Sequence, residues 1–451
     1  DKFFSFVEII QDQIIPDDFN DFIEILQTDD WNHQIYQRII NKNYNKRVDI
    51  LKQLKRQKNR IKNYKIISKE RILNIIDNFL KLFNSENAYF FHDSYFSLNK
   101  FIKLNFSLFQ IPRFYSNDFS FNLNASVNKA LRLKKINYNN QNAFEEFFLN
   151  NMFKDIPIQY LEGFSKTKQF IDKISYNPKV ILTANSYWGK DVFKFWLAKR
   201  KNISKIVTVE HGGSFPPLFH SFHHEEDISD FYIYWFQSNK FNRIHLPPQK
   251  SFLKINKRGN NCSYIGFEST RFFYRIIATP ITSSVLETFD QSIDLYNLLD
   301  PNIQKKFKIR PYPNMGWETS LRYKDELGED KVDTKSSFKN FLINSKWIIC
   351  SYSMTTFSEA MSTGTPTILL YMPEHNETIE ETQELIKILK EVKIIFSDPN
   401  KAAKHLNKHW LNPNIWWESQ EVIKARKLFF KMACNDKKNW HIDWVNFLKS
   451  L

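Results

Sequence analysis

The sequence predicts an α/β protein with two domains that face each other across a cleft. Its 451 residues are more than one ordinary hydrophobic core accommodates. From residue 178 onward, short apolar runs bounded by turn residues alternate with amphipathic segments of about ten residues, which is typical of a parallel sheet covered by helices. A polar, irregular stretch at 240–262 interrupts this alternation, and we expect the domain boundary there.

The first domain is expected to begin with helices and to continue as a sheet. Helical periodicity predicts three helices, at 12–27, 70–84 and 142–153. The run AYFFHD (88–93) is a strand candidate among them. Further strands are predicted at 178–185, 203–210 and 231–236, with a helix at 191–200.

The second domain repeats the alternation of strands and helices. Strands are predicted at 262–267, 306–313, 346–351, 366–371 and 393–396. Helices are predicted around 283–300, 335–344, 355–363 and 378–391. The tail from Trp416 to Leu451 is rich in tryptophan and is also expected to be helical. The chain therefore divides into an N-terminal domain (1–245), a C-terminal domain (246–415) and terminal helices (416–451).

The chain carries a net charge of +15, which suits nucleic acid, an anionic membrane surface or anionic substrates as partners. The densest basic run, at 41–71, has apolar residues at roughly helical spacing. We interpret it either as a solvated helix face or as a face that rests on anionic lipid. Nucleic acid is not expected, because neither zinc-finger spacing nor an aromatic single-strand-binding motif accompanies the run.

The cysteines and the hydropathy bear on the cellular compartment. Cys262, Cys350 and Cys434 are too few and too widely spaced for a disulfide framework, which indicates a reducing compartment. No window of about 18 apolar residues predicts a membrane span. We therefore expect a cytoplasmic protein, and peripheral contact with the inner face of the cytoplasmic membrane stays open.

The stretch VTVEHGGSFPP (207–217) is the first candidate site. Glu210 and His211 follow an apolar strand, at the sheet edge where α/β proteins bind ligands. Gly212 and Gly213 are two of only nine glycines in the chain, and they allow a close approach of a ligand to backbone amides. We interpret the segment as a catalytic or donor-contacting loop; the alternative is a tight turn with a hydrogen-bonded histidine.

Just downstream, HSFHHEEDISD (220–230) combines histidines with acidic residues. Its spacing fits no standard zinc pattern, so a metal site is not expected. We expect a polar loop that faces the same cleft and supplies an acid or a base from Glu225, Glu226 or Asp227.

The second candidate site is CSYSMTTFSEAMSTGTPTILLY (350–371), where a predicted strand leads into a helix. Hydroxyl side chains gather at the start of this helix, a place that binds phosphate well: Ser351, Ser353, Thr355 and Thr356. Glu359 stands three residues after Thr356, a spacing that also predicts a purely structural capping box. We interpret the segment as an anion pocket.

KIRPYPNMGW (308–317) is the third candidate site. Arg310 and Tyr312 lie at the end of another strand of the second domain. An arginine there can clamp a phosphate or carboxylate through two parallel hydrogen bonds. The alternative is a surface ion pair beside a packing tyrosine.

These segments resemble the donor-binding half of GT-B glycosyltransferases and, more closely, a bacterial family of surface-polysaccharide (O-antigen and capsule) transferases linked to nonulosonic acids. The resemblance covers about residues 85–451 and includes EHGGSFPP, HHEEDISD, IRPYP, TTFSEA with TGTPTI, and WWESQEVIKARKLFF. It implies two Rossmann-like domains, a helical N-terminal extension and a C-terminal helix that packs back on the N-terminal domain.

The resemblance also implies roles for individual residues. Ser353, Thr355 and Thr356 would contact the donor phosphate, and Glu359 would hold ribose hydroxyls. Glu210 would act as base or nucleophile, and His211 would orient it or hold a sugar carboxylate. GT-B sialyltransferases carry His-Pro where this chain has Arg310-Pro311, which suggests that Arg310 neutralises the leaving group here.

The function implied is metal-independent transfer of a sugar, a nonulosonic acid, from a CMP-activated donor to a surface polysaccharide or lipid-linked glycan. No cofactor is expected beyond this nucleotide-sugar co-substrate. Three alternatives stay open: a CDP-polyol phosphotransferase, a GT-B transferase that uses another nucleotide sugar, and a non-catalytic scaffold of a polysaccharide assembly complex.

Overall fold

The structure is a computed structural model. It describes residues 4–6, 9–10, 14–44, 48–50, 53–54, 75–83, 86–115, 117–136, 142–212, 215, 223–255, 258–272, 282, 284–376 and 378–451. Four short strands lie near the N-terminus and pair in parallel, β1 (Phe4–Phe6) with β3 (Val48–Ile50) and β2 (Ile9–Ile10) with β4 (Gln53–Leu54).

The N-terminal domain is built on a parallel sheet. Within the described residues this sheet has five strands in the order of the chain: β5 (Tyr89–His92), β6 (Val180–Thr183), β7 (Lys205–Val209), β8 (Phe231–Tyr234) and β9 (Arg243–His245). These strands are largely buried because their apolar residues are covered by helices on both faces. The helices of this half are Phe19–Leu26, Asp29–Tyr44, 75–81, Leu98–Ser107, Lys129–Arg132, Ala143–Asp155, Phe164–Asp172, Ser186–Gly189, Asp191–Arg200 and His223–Ile228.

The C-terminal domain has a doubly wound parallel sheet. Its described strands are β10 (Asn261–Ile265), β11 (Phe307–Arg310), β12 (Ser345–Cys350), β13 (Thr367–Leu370) and β14 (Ile395–Phe396). Their spatial order is β11-β10-β12-β13-β14, so the chain reverses direction across the sheet between β10 and β12. In open α/β sheets a ligand binds at this topological switch point, beyond the carboxyl ends of the strands.

The remaining helices cover this second sheet or follow it. They are Ser284–Asn297, Pro301–Gln304, Thr319–Leu327, Phe338–Ile343, Thr355–Ser362, Gln383–Glu391, Pro399–His409, Asn414–Trp417, Gln420–Phe429 and Trp440–Ser450. None of the helices in the described ranges is both long and apolar enough to cross a bilayer.

A shared core and a returning helix join the two halves. Phe215, Tyr234 and Trp235, all from the first half, belong to the same buried cluster as the core of the second sheet. The last helix, Trp440–Ser450, packs instead against the first sheet and the helix Leu98–Ser107. Trp444 is fully buried there, and its indole N–H donates to the carbonyl of Pro247 at 2.9 Å.

The predicted α/β architecture with two sheets is confirmed, and the helix at 191–200 matches to the residue. One local prediction is wrong. The polar segment expected to be a loop contains the helix His223–Ile228, whose first turn carries acids that favour a helix N-terminus. The stretch 240–262 contains β9, which pairs with β8 in the first sheet, and the domain boundary predicted in this stretch stays a prediction.

The basic run at 41–71 is described only in part. Its first residues end the helix Asp29–Tyr44, while β3 and β4 are extended rather than helical. The rest of the run lies outside the described residues, so its predicted helix face is not described either.

Candidate functional site

The candidate site lies where loops from the carboxyl ends of the two sheets meet. The loop after β7 carries Gly212, and the loop after β12 leads into the helix Thr355–Ser362. A Cβ built on Gly212 would collide with the side-chain oxygen of Thr355, so a side chain at this position does not fit. Close by, the backbone N–H of Phe215 donates to the carbonyl of Ser353 at 2.9 Å. The candidate catalytic loop therefore touches the candidate anion pocket.

The helix Thr355–Ser362 starts at the switch point of the second sheet. Its N-cap residue, Met354, forms no side-chain cap. The first amides of a helix have no partner within the helix, and without a side-chain cap they are suited to an anion. The predicted capping box of Thr356 and Glu359 is wrong, because Thr356 lies inside the helix.

The side chains of that predicted box have other partners. The hydroxyl of Thr356 lies 2.6 Å from the hydroxyl of Tyr352. The carboxylate of Glu359 pairs with the ammonium of Lys250 at 2.5 Å, and both side chains are about one-third exposed or less. Lys250 comes from the segment that joins the two sheets, so this ion pair links the connection to the helix.

The serines before the helix differ in their surroundings. The hydroxyl of Ser351 donates to the carbonyl of Ile265 at 2.8 Å, and its backbone N–H donates to the same carbonyl. Ser351 therefore joins β12 to β10 at their carboxyl ends. Ser353 is buried, and its carbonyl accepts the hydrogen bond from the backbone N–H of Phe215.

An aromatic cluster lies beside this turn. The ring of Tyr312, after β11, is 6.3 Å from Phe267, after β10, and 5.9 Å from Tyr352, after β12. The rings of Phe267 and Tyr352 are 5.7 Å apart. Burial raises the pKa of the Tyr352 hydroxyl above its ordinary value, so this hydroxyl is neutral at physiological pH. Three loops thus bring aromatic faces together at the switch point.

Arg310 ends β11, and its side chain turns toward the segment before the helix Phe338–Ile343. One Nη donates to the carbonyl of Ser336 at 2.6 Å, and the guanidinium lies 5.8 Å from the ring centre of Phe338. A guanidinium has five N–H donors, and this contact uses one of them. The phosphate clamp predicted for Arg310 stays a prediction.

Glu210 is buried, with 4% of its surface exposed. Its carboxylate accepts the backbone N–H of Trp235 at 2.8 Å, and its carbonyl accepts the side-chain amide of Gln249 at 3.1 Å. These bonds tie the end of β7 to the end of β8 and to the segment that follows. The catalytic role predicted for Glu210 stays a prediction, and these contacts favour a role in holding the loop.

The other candidates of the first domain are dispersed. His211 is exposed, and its ring lies 6.1 Å from that of Tyr95. Glu225 accepts the hydroxyl of Tyr187 at 2.8 Å, on the helix His223–Ile228. Gly213 lies outside the described residues.

A polar cluster at the end of β5 was not predicted. It contains His92, the last residue of β5, and Asp93, which follows it. Ser186 and Lys190 join them from the segment after β6. The sequence did contain an indication. AYFFHD ends in a histidine and an acid, and the same two residue types, Glu210 and His211, follow the strand at 205–209.

Glu268 was also missed. This buried carboxylate follows β10 and accepts the backbone N–H groups of Met315 at 2.6 Å and Trp317 at 3.0 Å, together with the hydroxyl of Thr319. It therefore fixes the loop that continues from Tyr312. In the sequence, Glu268 is a single acid within GFEST, and no pattern around it predicts this structural role.

No metal site is evident in the ranges that the structure describes, since they contain no group of three or more His, Cys, Asp or Glu residues placed to hold an ion.

Comparison with known proteins gives one family. The model of the LIC12162 family transferases matches residues 4–448, nearly the whole chain. No curated protein matches the sequence.

Several solved structures resemble the chain loosely. MnaA from S. aureus, solved with UDP, is 13% identical over 66% of this chain and 84% of its own, with a TM-score of 0.41. The glycosyltransferase SnogD from Streptomyces nogalater is 10% identical over 81% and 99%, with a TM-score of 0.40. MurG from Acinetobacter baumannii is 11% identical over 67% and 80%, with a TM-score of 0.37.

Proposed function

The chain belongs to the LIC12162 family of transferases, and from this premise we propose that it transfers a sugar from a nucleotide-activated donor to a glycan. One observation carries the proposal. The switch point of the second sheet combines an uncapped helix start, hydroxyl side chains and three aromatic rings, and a glycine of the opposite domain lies against it. These are the groups that a phosphate and a nucleoside require.

The diphosphate or monophosphate of the donor would lie at the start of the helix Thr355–Ser362. The hydroxyls of Ser353 and Thr355, together with the first helix amides, would donate hydrogen bonds to it. Fixed donors aimed at the leaving phosphate stabilise the charge that develops there as the glycosidic bond to the nucleotide breaks. Arg310 would add positive charge from the neighbouring strand end.

The nucleoside would lie along the aromatic cluster of Phe267, Tyr312 and Tyr352. Stacking on aromatic side chains is a general way to bind a base, and it tolerates different bases. Glu359 would meet the ribose hydroxyls once they displace Lys250 from the ion pair. The carboxylate of Glu359 is partly exposed, as this role requires.

The donor that we propose is a CMP-linked nonulosonic acid, and the acceptor a surface polysaccharide or lipid-linked glycan. The resemblance of the sequence motifs supports this choice. The net charge of +15 suits a donor that carries both a phosphate and a carboxylate, and it also suits an anionic acceptor or membrane surface. A CDP-polyol phosphotransferase is the second candidate, since the helix start and hydroxyls suit phosphoryl transfer equally well.

Nucleotide release from activated donors tests the proposal. The protein is incubated with CMP-N-acetylneuraminic acid, UDP-N-acetylglucosamine, GDP-mannose or CDP-ribitol, with and without EDTA, and the products are separated. We expect release of CMP and free sugar from CMP-N-acetylneuraminic acid, unchanged by EDTA. Release of CMP and ribitol phosphate from CDP-ribitol supports the second candidate instead. Turnover of UDP or GDP sugars alone keeps glycosyl transfer and removes the CMP-linked donor.

A further inference from the structure

The polar cluster after β5 forms an ordered chain of hydrogen bonds, and its residues have no part in the proposed donor site. Nδ1 of His92 lies 2.6 Å from the hydroxyl of Ser186, and this hydroxyl donates to Oδ2 of Asp93 at 2.7 Å. The ammonium of Lys190 lies 2.8 Å from the same Oδ2. The chain runs from a fully buried ring to a carboxylate whose side chain is 36% exposed.

The direction of this chain follows from its single hydroxyl proton. Because Ser186 gives that proton to Asp93, its oxygen accepts from His92, whose Nδ1 therefore carries a hydrogen. Burial lowers the pKa of His92 to about 3, so the ring is neutral. His92 and Ser186 thus act together as a fixed donor aimed at one oxygen of Asp93.

The carboxylate of Asp93 is held ionised and oriented. Burial alone would raise its pKa, but the electrostatic coupling to His92, the charge of Lys190 and the hydrogen bonds from Lys190 and Ser186 together lower it. Within the part of the chain that the structure describes, each contact of this carboxylate is made through Oδ2. The side chain of Asp93 remains 36% exposed, and none of these contacts uses its second oxygen, Oδ1.

The position of Asp93 relative to the cleft comes from its neighbours. Tyr95, two residues on, has a ring 6.1 Å from that of His211. His211 precedes Gly212, which lies against Thr355 at the start of the proposed phosphate site. Asp93 therefore lies at the same carboxyl edge of the first sheet as the loop after β7, and that loop contacts Thr355.

The backbone conformation around Asp93 supports a functional role for this segment. Asp93 has φ 45° and Tyr95 has φ 61°, both in the left-handed region that non-glycine residues adopt at a cost. The carbonyl of Asp93 accepts the N–H of Ala184 at 3.1 Å, which fixes this turn to the end of β6. Strained backbone of this kind concentrates at functional sites, where the surroundings hold a side chain in one orientation.

We propose that Asp93 is the general base that deprotonates the acceptor hydroxyl, with Ser186, His92 and Lys190 as positioning residues; this rests on the proposed glycosyl transfer. Oδ1 takes the proton of the hydroxyl as its oxygen bonds to the anomeric carbon. The bond between that carbon and the phosphate oxygen breaks, and the nucleotide leaves with the electron pair. In the absence of a glycan, water takes the place of the acceptor.

Glu210 and Glu225, the acids predicted for catalysis from the sequence, are less suited to this step. Glu210 is 4% exposed, and its carboxylate holds the amide of Trp235. Glu225 holds the hydroxyl of Tyr187. Asp93 combines exposure with a fixed orientation at the carboxyl edge of the first sheet.

Asp93→Asn is the main test, because asparagine tolerates the left-handed backbone and still accepts from Ser186. The matched control is Asp230→Asn. Asp230 also pairs with a lysine, Lys205 at 3.2 Å, and its side chain is 33% exposed, but it lies at the opposite, amino-terminal edge of the same sheet. Nucleotide release from CMP-N-acetylneuraminic acid, UDP-N-acetylglucosamine and GDP-mannose is measured for both, together with nucleotide affinity by calorimetry.

We expect Asp93→Asn to lower the release rate at least about 100-fold, the usual contribution of a general base, with the nucleotide affinity within about twofold of the wild type. Asp230→Asn should release nucleotide at the wild-type rate. Asp93→Gly fits the left-handed backbone and leaves a space, so added formate should restore part of its activity. Formate rescue distinguishes a lost base from a lost structural contact.

The outcomes separate the two proposals. If Asp93→Asn releases nucleotide at the wild-type rate, Asp93 is not the general base, and the proposal of glycosyl transfer is unaffected. Loss of activity together with loss of nucleotide affinity, or loss without formate rescue, also overturns the assignment of Asp93 as the base, since Asp93 then holds the fold. A wild-type protein that releases nucleotide from none of the donors overturns glycosyl transfer and the base assignment together.

Discussion

The backbone of Gly212 lies directly against the side-chain hydroxyl of Thr355, so the loop after β7 and the helix after β12 leave no room for a side chain between them. The two residues belong to different sheets, and each follows the carboxyl end of its strand. This contact joins the carboxyl edge of the first sheet, to which Asp93 and His211 belong, to the start of the helix at the proposed phosphate site. Glycine is scarce in this chain, and the contact with Thr355 gives a physical reason for the glycine at position 212.

Substitution of Gly212 by alanine should force the two loops apart. Forcing one extra methyl into a packed contact costs about 1–3 kcal/mol. We expect Gly212→Ala to lower the melting temperature, and we expect Thr355→Ala, which removes the opposing oxygen, to change it little. Combined in one chain, the two substitutions should restore most of the lost stability, a coupling that a double-mutant cycle measures. Additive effects would mean that the contact is absent.

Serines two residues apart should respond differently to alanine. Ser351→Ala removes a buried bond to the carbonyl of Ile265 and should lower stability by about 1 kcal/mol without changing nucleotide affinity. Ser353→Ala should weaken nucleotide binding about tenfold, because a hydrogen bond to a charged group contributes about 1.5 kcal/mol or more. Calorimetric titration and thermal denaturation of both variants check this pair. Equal loss of affinity in both would place the phosphate elsewhere.

Glu210 is expected to be structural. Glu210→Gln keeps an oxygen that can accept the N–H of Trp235, so it should retain nucleotide release within about threefold. Glu210→Ala leaves that buried amide without its acceptor and should cost about 1–3 kcal/mol of stability. Release rates and urea denaturation midpoints of the two variants provide the measurement. A loss of 100-fold or more in Glu210→Gln, with unchanged stability, would restore Glu210 as the base.

Acid should destabilise the C-terminal domain through His405. Burial, followed by the positive charges of His409, Lys393 and Lys408, lowers the pKa of His405 to about 3. Between that value and the ordinary pKa of about 6.5 the unfolded chain binds a proton that the folded chain does not, so stability falls as the pH falls through this window.

Replacement by phenylalanine removes this titration and suits the rings of Trp416 and Phe396 around it. We expect the loss of stability between pH 7 and pH 5.5 to be smaller by about 1 kcal/mol in His405→Phe than in the wild type. Parallel pH profiles for His405→Phe and the wild type would contradict the account.

The regular part of the fold could be predicted from the sequence because strand and helix signals agree there. The strands β6, β7 and β12 are short apolar runs with β-branched residues, and parallel sheets bury such runs on both faces. The helix His223–Ile228 could not be read in the same way. It is one short polar turn, and it depends on the hydroxyls of Thr208 and Ser229, which donate to the carbonyl of Glu225.

The site was predictable in location and less so in detail. Strand ends marked the loops with Ser353, Thr355 and Tyr312 because the carboxyl edge of a parallel sheet gathers ligand groups. Which acid faces the cleft depends on side-chain direction, and a shift of one residue along a strand reverses it. Glu210 and Asp93 both follow strands, yet Glu210 is buried against the amide of Trp235, whereas Asp93 pairs with Lys190 and remains partly exposed.

The most direct test is calorimetric titration of the protein with CMP, CDP, UDP, GDP and ADP, repeated with Thr355→Ala. The proposed site predicts that the wild type binds CMP in preference to the others, with and without EDTA, and that Thr355→Ala binds it about tenfold more weakly. The same preference should appear as stabilisation of about 2.7 kcal/mol at a hundredfold excess over the dissociation constant. A wild type that binds none of the five, or a Thr355→Ala variant that binds with unchanged affinity, would contradict a nucleotide site at the start of the helix Thr355–Ser362.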